Sequence, residues 1–358
     1  MTKVLFLIPY PLNVTPSQRF RFEQYISFLR ENKVGCKISP FIDDSTWKIF
    51  HQNGYWFKKS WGMFKGIFLR HILLLTVHKY DIIFIHRGVC LIGPAYFEWI
   101  ISKVLKKKIV YDFDDAIWVN DVSNANEKYS WLKFSNKIKN IISYSNTVIV
   151  GNEYLANYAL ENNQNVKIFP TTIDTTLYNP IQKSHTDKIV IGWSGSVTTN
   201  KHFETLNEVL LKITHKYPHV EIAMISSAPL EKQSFKIKFI KWSHQSEITD
   251  LSQIDIGIMP LPNDEWAKGK CGLKGLQYMA MEIPTIMSPI GVNTEIIRDG
   301  ENGFLAQSDE EWLTKLEQLI LSEELRKKLG KAGRKTVVEK YSVDANKMNY
   351  LNLFRNLV

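Results

Sequence analysis

The sequence predicts an α/β fold made of two successive open domains, each a parallel sheet wrapped by helices. Three observations point there. Short β-rich apolar runs alternate with amphipathic stretches of helical length, the pattern of strand–helix–strand units. The alternation stops in a polar, Pro-containing segment over 173–187, an interdomain linker, and then restarts. A length of 358 residues, 44% hydrophobic and 23% charged, suffices for two cores at about 150 residues each.

In the first half, strands are expected at 4–8, 35–38, 82–86, 109–111, 147–150 and 166–169, with helices at 17–31, 96–105, 129–143 and 153–161. In the second half, strands are expected at 189–193, 221–225, 236–241, 254–260 and 284–288, with helices at 203–216, 272–281, 310–321 and 323–339. The final amphipathic stretch, 342–358, has no strand to feed and is expected to cross back onto the first domain. The expected division is therefore 1–180, 181–341 and a terminal helix 342–358. Two such domains place a cleft at the carboxyl ends of their sheets, where open α/β folds bind ligands.

Composition narrows the function. No apolar run approaches the ~18 residues of a membrane span, and the first strand runs straight into Pro9 and Pro11 without a signal-peptide cleavage pattern. Cys36, Cys90 and Cys271 are odd in number and widely spaced, which suits a reduced, cytoplasmic compartment and argues against a disulfide framework or zinc site. The formal charge is +9, and it is uneven: residues 1–180 carry 22 basic and 14 acidic side chains, the remainder 23 and 22. One domain is thus expected to face something anionic. No helix-turn-helix, RNP-like strand or zinc spacing supports nucleic acid as that partner. Gly-x-Ser-x-Gly, His-Glu-x-x-His and Walker patterns are also missing from the sequence.

The strongest local signal is KCGLKGLQYMAMEIPTIMS over 270–288, followed by Gly291 and by EIIRDGENGFL over 295–305. A strand and loop lead to a helix starting near Cys271, Gly272 and Leu273, whose N–H groups and positive dipole end suit a phosphate. Lys270 and Lys274 lie within a turn of that end and can neutralise a diphosphate; the alternative is two solvated lysines. This region resembles the donor-binding segment of family 4 glycosyltransferases. The match runs through Gln277, Tyr278, Met279, Ala280 and Pro284, and through the stretch that opens on Glu295. The resemblance implies a GT-B fold, two Rossmann-like domains facing a central cleft, and transfer with retention of anomeric configuration. The family pattern carries two glutamates eight positions apart. Here they fall on Gly269 and Gln277, so this chain resembles a branch without the pair. Gln277 can still bond hydroxyls, and Asp264 or Glu265 is a candidate replacement carboxylate.

A second match, IVIGWSGSVTTNKHFETL over 189–206, ends a strand in a small-residue turn before a helix beginning near Lys201. Gly195 and Lys201 fit the family's phosphate-holding turn, whereas Ser196 stands where an arginine is usual. Small residues let the backbone approach phosphate oxygens.

In the first domain, Asp112, Asp114 and Asp115 follow a strand directly. Three carboxylates so close repel one another and call for cations or donors. They read as a strand-end cluster that orients acceptor hydroxyls or the donor sugar, or as a solvated turn. Asp114 takes the position of the histidine usual in the family. Arg19 and Arg21, after Ser17 as a helix cap, are expected at the cleft, with Arg19 opposing the helix dipole and hinting at an anionic ligand. His86 and Arg87 end the neighbouring strand. Finally, on a helix over 56–71, Trp56, Phe57, Trp61, Met63, Phe64, Ile67 and Phe68 fall within roughly 160° of arc, with Lys58, Lys59, Lys65 and Arg70 opposite. That is an interfacial helix against an anionic membrane surface, or a core-packed helix with a basic outer face.

These readings combine into a cytoplasmic enzyme, peripheral on the inner face of the cell membrane. It is expected to transfer sugar from a nucleotide sugar, UDP more than GDP, to a glycan or polyprenyl-diphosphate-linked acceptor, with no cofactor, metal or nucleic acid. Asp112, Asp114, Lys201 and Lys274 are the expected catalytic residues. A sugar-nucleotide epimerase of the same fold and a non-catalytic nucleotide-sugar or membrane-surface binding protein are the alternatives.

Overall fold

The computed structural model describes residues 1–52, 54–119, 136–181, 187–230 and 234–358. The chain forms two compact units, Met1–Pro170 with Asn346–Val358, and Thr171–Ala345.

The first unit is a six-stranded sheet in the order β2-β1-β3-β4-β5-β6. Its strands are β1 (Thr2–Ile8), β2 (Val34–Pro40), β3 (Ile82–His86), β4 (Lys108–Phe113), β5 (Thr147–Val150) and β6 (Val166–Ile168), all paired in parallel. Val4 to Ile8 and Ile82 to Ile85 are wholly buried, as expected where helices cover both faces of a parallel sheet and strands become continuous apolar runs. The terminal helix Val343–Asn356 contributes Tyr350 and Phe354 to this core: Phe354 lies 6.0 Å from Phe6, and Tyr350 4.7 Å from Tyr25, between ring centroids.

The second unit is a six-stranded parallel sheet, β12-β11-β10-β7-β8-β9. Its strands are β7 (Ile189–Ser194), β8 (Val220–Ser226), β9 (Ile237–Lys241), β10 (Ile256–Met259), β11 (Thr285–Met287) and β12 (Phe304–Leu305). Ile191, Ile222, Ile256 and Ile286 from the sheet meet Leu210 and Leu316 from the covering helices in one core. Helix ends follow local chemistry. Ser308 and Glu311 form a reciprocal capping box at Asp309–Leu321, and the Ser322 hydroxyl accepts from the Leu325 N–H at 3.1 Å.

Several elements differ from expectation. The stretch 17–31 is not one helix but a turn Pro16–Arg19, a 3₁₀ turn Glu23–Tyr25 and a helix Ile26–Glu31. Its N-cap position is Thr15, whose side chain makes no capping bond, with Pro16 in the first position, so Ser17 is not the cap; Arg19 ends the turn, where a cation suits the dipole. The first unit closes at Pro170, ahead of the expected 180. Residues after it are tied into the second unit: Ile173 donates to the Tyr341 carbonyl at 2.8 Å, and Arg334 donates to the Tyr178 carbonyl at 3.0 Å. Strand β12, two residues long, is an addition. Residues 129–135 of an expected helix and 182–186 of the expected linker lie outside the described residues; the helix begins at Lys137. Among the described residues, no helix is long and apolar enough to cross a membrane.

Candidate active site

In a sheet of this kind the crevice opens at the carboxyl ends of the two strands where the order reverses. In the second unit those strands are β7 and β10, and the expected phosphate-binding residues follow them in the chain. β7 ends on Ser194, whose N–H donates to the Tyr278 hydroxyl at 2.7 Å. Gly195 follows, and a Cβ there would lie 2.0 Å from the Trp193 ring and 2.8 Å from Thr199 Oγ1, so the turn admits only glycine. Ser196 closes a capping box with Thr199 at the next 3₁₀ turn. Its hydroxyl supports the turn, which then delivers exposed Lys201 from the helix Asn200–Glu204.

From β10 the chain passes through a short helix Glu265–Lys268, capped by Asp264, whose carboxylate accepts from the Ala267 N–H at 2.7 Å. The cap occupies Asp264, leaving exposed Glu265 as the loop's other carboxylate. The phosphate-type helix is Leu273–Ala280. Gly272 precedes it at φ +70°, where a Cβ would strike Ile296 at 2.2 Å, and Cys271 is buried. Ile296 belongs to the turn Asn293–Ile296, which also carries exposed Glu295. Helix geometry turns the first backbone N–H groups and the positive dipole end outward at Leu273 and Lys274.

Two residues that sequence reasoning missed organise the cations. The Lys270 ammonium lies 3.4 Å and the Lys201 ammonium 5.1 Å from the centroid of the Trp266 ring, and His202 meets the same ring at 5.3 Å. Lys274 Nζ reaches Ser194 Oγ at 3.4 Å and Gln277 Oε1 at 3.5 Å. Gln277 is fully buried, and its amide donates to Tyr178 Oη at 3.3 Å; Tyr178 in turn donates to Glu247 at 2.7 Å. The amide expected at a ribose hydroxyl is thus enclosed, and it braces Lys274 instead. Neither Trp266 nor Tyr178 carries a motif; only their aromatic character beside the lysine loop and the linker was visible.

In the first unit, the order reverses at β1 and β3, and the charged residues after β3 and β4 meet there. His86 pairs in register with Asp112 across the two strands. Asp112 is wholly buried between His86 Nδ1, at 2.7 Å, and the Arg21 guanidinium, at 2.5 Å; Arg21 also donates to the Phe169 carbonyl. Burial pushes the Asp112 carboxyl upward, but Arg21 and His86 outweigh it and hold it below its ordinary value. As a carboxylate it can only accept, so Nδ1 carries the proton. His86 Nε2 meets no partner among the described residues.

This enclosure corrects the expectation for three residues. Asp112 and Arg21 form an internal ion pair, with His86 bonded to the same carboxylate, rather than a surface for substrate, and the helix unwinds after Arg19 where Arg21 turns inward. Asp112 and Asp114 do not share a site, because Asp114 looks to a different partner. Arg87 donates to Asp114 Oδ1 from Nε at 3.0 Å and from Nη2 at 2.8 Å, and stands 4.0 Å from Asp115. These three are partly exposed and remain able to touch a ligand. Arg87 holds a left-handed backbone, φ +59°. Arg19 is half-buried, its guanidinium 5.0 Å from the Phe20 ring centroid. Among the described residues no group of three or more His, Cys, Asp or Glu is placed to hold a metal.

The helix expected over 56–71 spans Trp56–Leu74. Trp56, Phe57, Trp61 and Phe64 are exposed, as are Lys58 and Lys65, while Lys59 is half-buried. Arg70, expected among the solvated cations, is buried instead.

Comparison with known proteins agrees with this layout. Residues 188–322 match the family model described as Glycosyl transferases group 1. The chain is 26% identical over 235 residues to EpsD of Bacillus subtilis (strain 168), designated a glycosyltransferase, covering 58% of this chain and 60% of that protein. It is 25% identical over 170 residues to the capsular polysaccharide biosynthesis glycosyltransferase CapM of Staphylococcus aureus, covering 44% of this chain and 43% of that one. The chain therefore matches 60% or less of the length of these curated relatives. Sucrose-phosphate synthase from Thermosynechococcus elongatus superposes with a TM-score of 0.70 at 13% identity, over 100% of this chain and 99% of that one. HepE of Anabaena, solved with UDP and glucose, gives 0.67 at 14% identity, over 99% and 100%. The fold is α/β of the GT-B class, with two parallel six-stranded sheets.

Proposed function

We propose that this chain is a retaining glycosyltransferase of bacterial surface polysaccharide assembly, moving a sugar from a nucleotide-diphosphate sugar, UDP more than GDP, to a glycan on a polyprenyl diphosphate. The second unit takes the donor and the first the acceptor, at the surface of an anionic membrane, without a metal. The observation that carries the reading is the gathering of Lys201 and Lys270 on the Trp266 ring, with Lys274 on the helix that follows reaching the end of β7 at Ser194, at the strand-order reversal of the second unit. The group 1 match over 188–322 covers all three, and the designations of EpsD and CapM agree with it.

In this reading the diphosphate lies against the start of Leu273–Ala280, with Lys274 and Lys270 on its oxygens and Lys201 across the Gly195 turn. These cations stabilise the charge that grows as the anomeric C–O bond to phosphate breaks. The acceptor hydroxyl forms its C–O bond on the face the leaving group vacates, and its proton passes to the departing diphosphate. Asp114, steadied by the Arg87 fork, orients the acceptor hydroxyl, with Asp115 beside it.

Lys274→Ala is expected to lower kcat by about 10²–10³-fold with an unchanged melting temperature; undiminished transfer would overturn the donor-site assignment. A product assay without acceptor separates transfer from epimerisation, since an epimerase converts the nucleotide sugar alone.

A further inference from the structure

The helix Trp56–Leu74 is packed by the side that a sequence pattern would least suggest. Gly62, Gly66 and Arg70 are its buried positions. A Cβ on Gly62 would lie 2.3 Å from Thr46 Oγ1, and one on Gly66 2.5 Å from the Phe41 carbonyl, so the helix axis sits directly on that layer. Arg70 then fixes its rotation. Its guanidinium donates to the Val89 carbonyl at 3.0 Å, to Ser39 Oγ at 2.7 Å and to the Ile8 and Ser39 carbonyls at 3.2 and 3.0 Å. Four bonds, three to the carboxyl ends of β1 and β2 and one to Val89, leave the opposite side facing solvent.

That opposite side is apolar. Phe57, Trp61, Phe64, Phe68, Ile72 and Leu75 fall within about 80° of arc, and the four aromatics are 57–71% exposed. Between Asp44 and Asp81 the chain has no acidic residue, and besides the buried Arg70 it carries Lys48, Lys58, Lys59, Lys65 and Lys79. Lys65 is paired with Asp43 at 2.8 Å, while Lys58 flanks the aromatic arc over the Tyr55 ring, 5.8 Å from its centroid. A locked amphipathic helix with an aromatic outer face and a cationic flank matches the chemistry of a headgroup layer: rings seat at the acyl boundary and ammonium groups meet lipid phosphates. A second copy of this chain would set one cationic flank against another, which charge complementarity disfavours.

We infer that this outward face of Trp56–Leu74 docks in the plane of an anionic bilayer. The inference deepens the reading of a membrane-held acceptor and rests on it for its purpose, though not for its geometry. Purified full-length protein is tested by co-sedimentation with phosphatidylcholine vesicles and with vesicles containing about one third phosphatidylglycerol. The wild type is expected to bind the anionic vesicles about tenfold more tightly. Phe64→Ser with Phe68→Ser is expected to lower that binding at least about tenfold, with unchanged melting temperature and unchanged calorimetric binding of UDP. Absence of vesicle binding, or equal binding by the double variant, overturns the proposal. So does a concentration-dependent dimer in light scattering that the double variant abolishes, which would assign the face to a second copy. Loss of UDP binding in the wild type is a separate result, and it would strike the donor-site reading alone.

Discussion

The two units reverse strand order in the same way and gather charge at the same place, yet they treat it oppositely. In the first, Arg21 and Asp112 are sealed inside as an ion pair, with His86 hydrogen-bonded to the same carboxylate. In the second, Lys201 and Lys270 rest on an indole ring and Lys274 on a hydroxyl and an amide. A buried ion pair fixes shape, because each charge is already answered. Lysines left exposed or half-buried stay within reach of a polyanion that comes later. A shared topology supplies the location, and the burial of each charge decides between scaffold and site.

The comparison breaks first at Asp112. Asp112→Asn leaves Arg21 buried without its counter-charge, and is expected to cost about 3–5 kcal/mol of stability. A companion Arg21→Met should recover part of that loss, since the orphaned charge goes with it. Thermal unfolding checks both; a wild-type melting temperature in Asp112→Asn would remove the cluster's structural role. The same group sets a pH dependence. Its carboxyl is held below the ordinary value, so its contribution is fully present above the unfolded carboxyl pKa of about 4 and fades as pH falls through the lower folded value. Asp112→Asn should flatten that part of the acid limb.

In the second unit the next test is the turn. Gly195→Ala puts a methyl against Trp193, itself buried, at an expected cost of about 1–3 kcal/mol. Nucleotide affinity should fall with it, because the turn carries Lys201. Retained UDP binding in calorimetry would detach the turn from the phosphate site.

The strands were largely legible because parallel strands buried on both faces are apolar runs bounded by polar turns; 82–86 and 147–150 were read to the residue. Two-residue β12 offers no period to read. Local signals also failed where a distant partner decides the backbone. The 17–31 stretch reads as one helix, but Arg21 leaves it to reach Asp112, 91 positions away. The lysines and glycines of the candidate site were visible as a phosphate-type pattern. The enclosure of Gln277 was not, since it depends on Tyr178 folding into the same unit. Which side of 56–74 packs was likewise set by Thr46 and Phe41 beneath the glycines, not by the aromatics that dominate the pattern.

The smallest expected effect is the one most specific to the second unit. Trp266 touches both Lys201 and Lys270, and a cation over an indole face at a partly exposed position is worth about 0.5–1 kcal/mol. Trp266→Leu should therefore weaken UDP binding by roughly two- to fivefold, leaving the melting temperature and the KM for acceptor unchanged. Trp266→Phe should restore most of the affinity, because it keeps a π face for the ammonium groups. If leucine and phenylalanine behave alike, the ring does not gather the lysines. The contrast between the two units would then rest on Lys274 and its helix start.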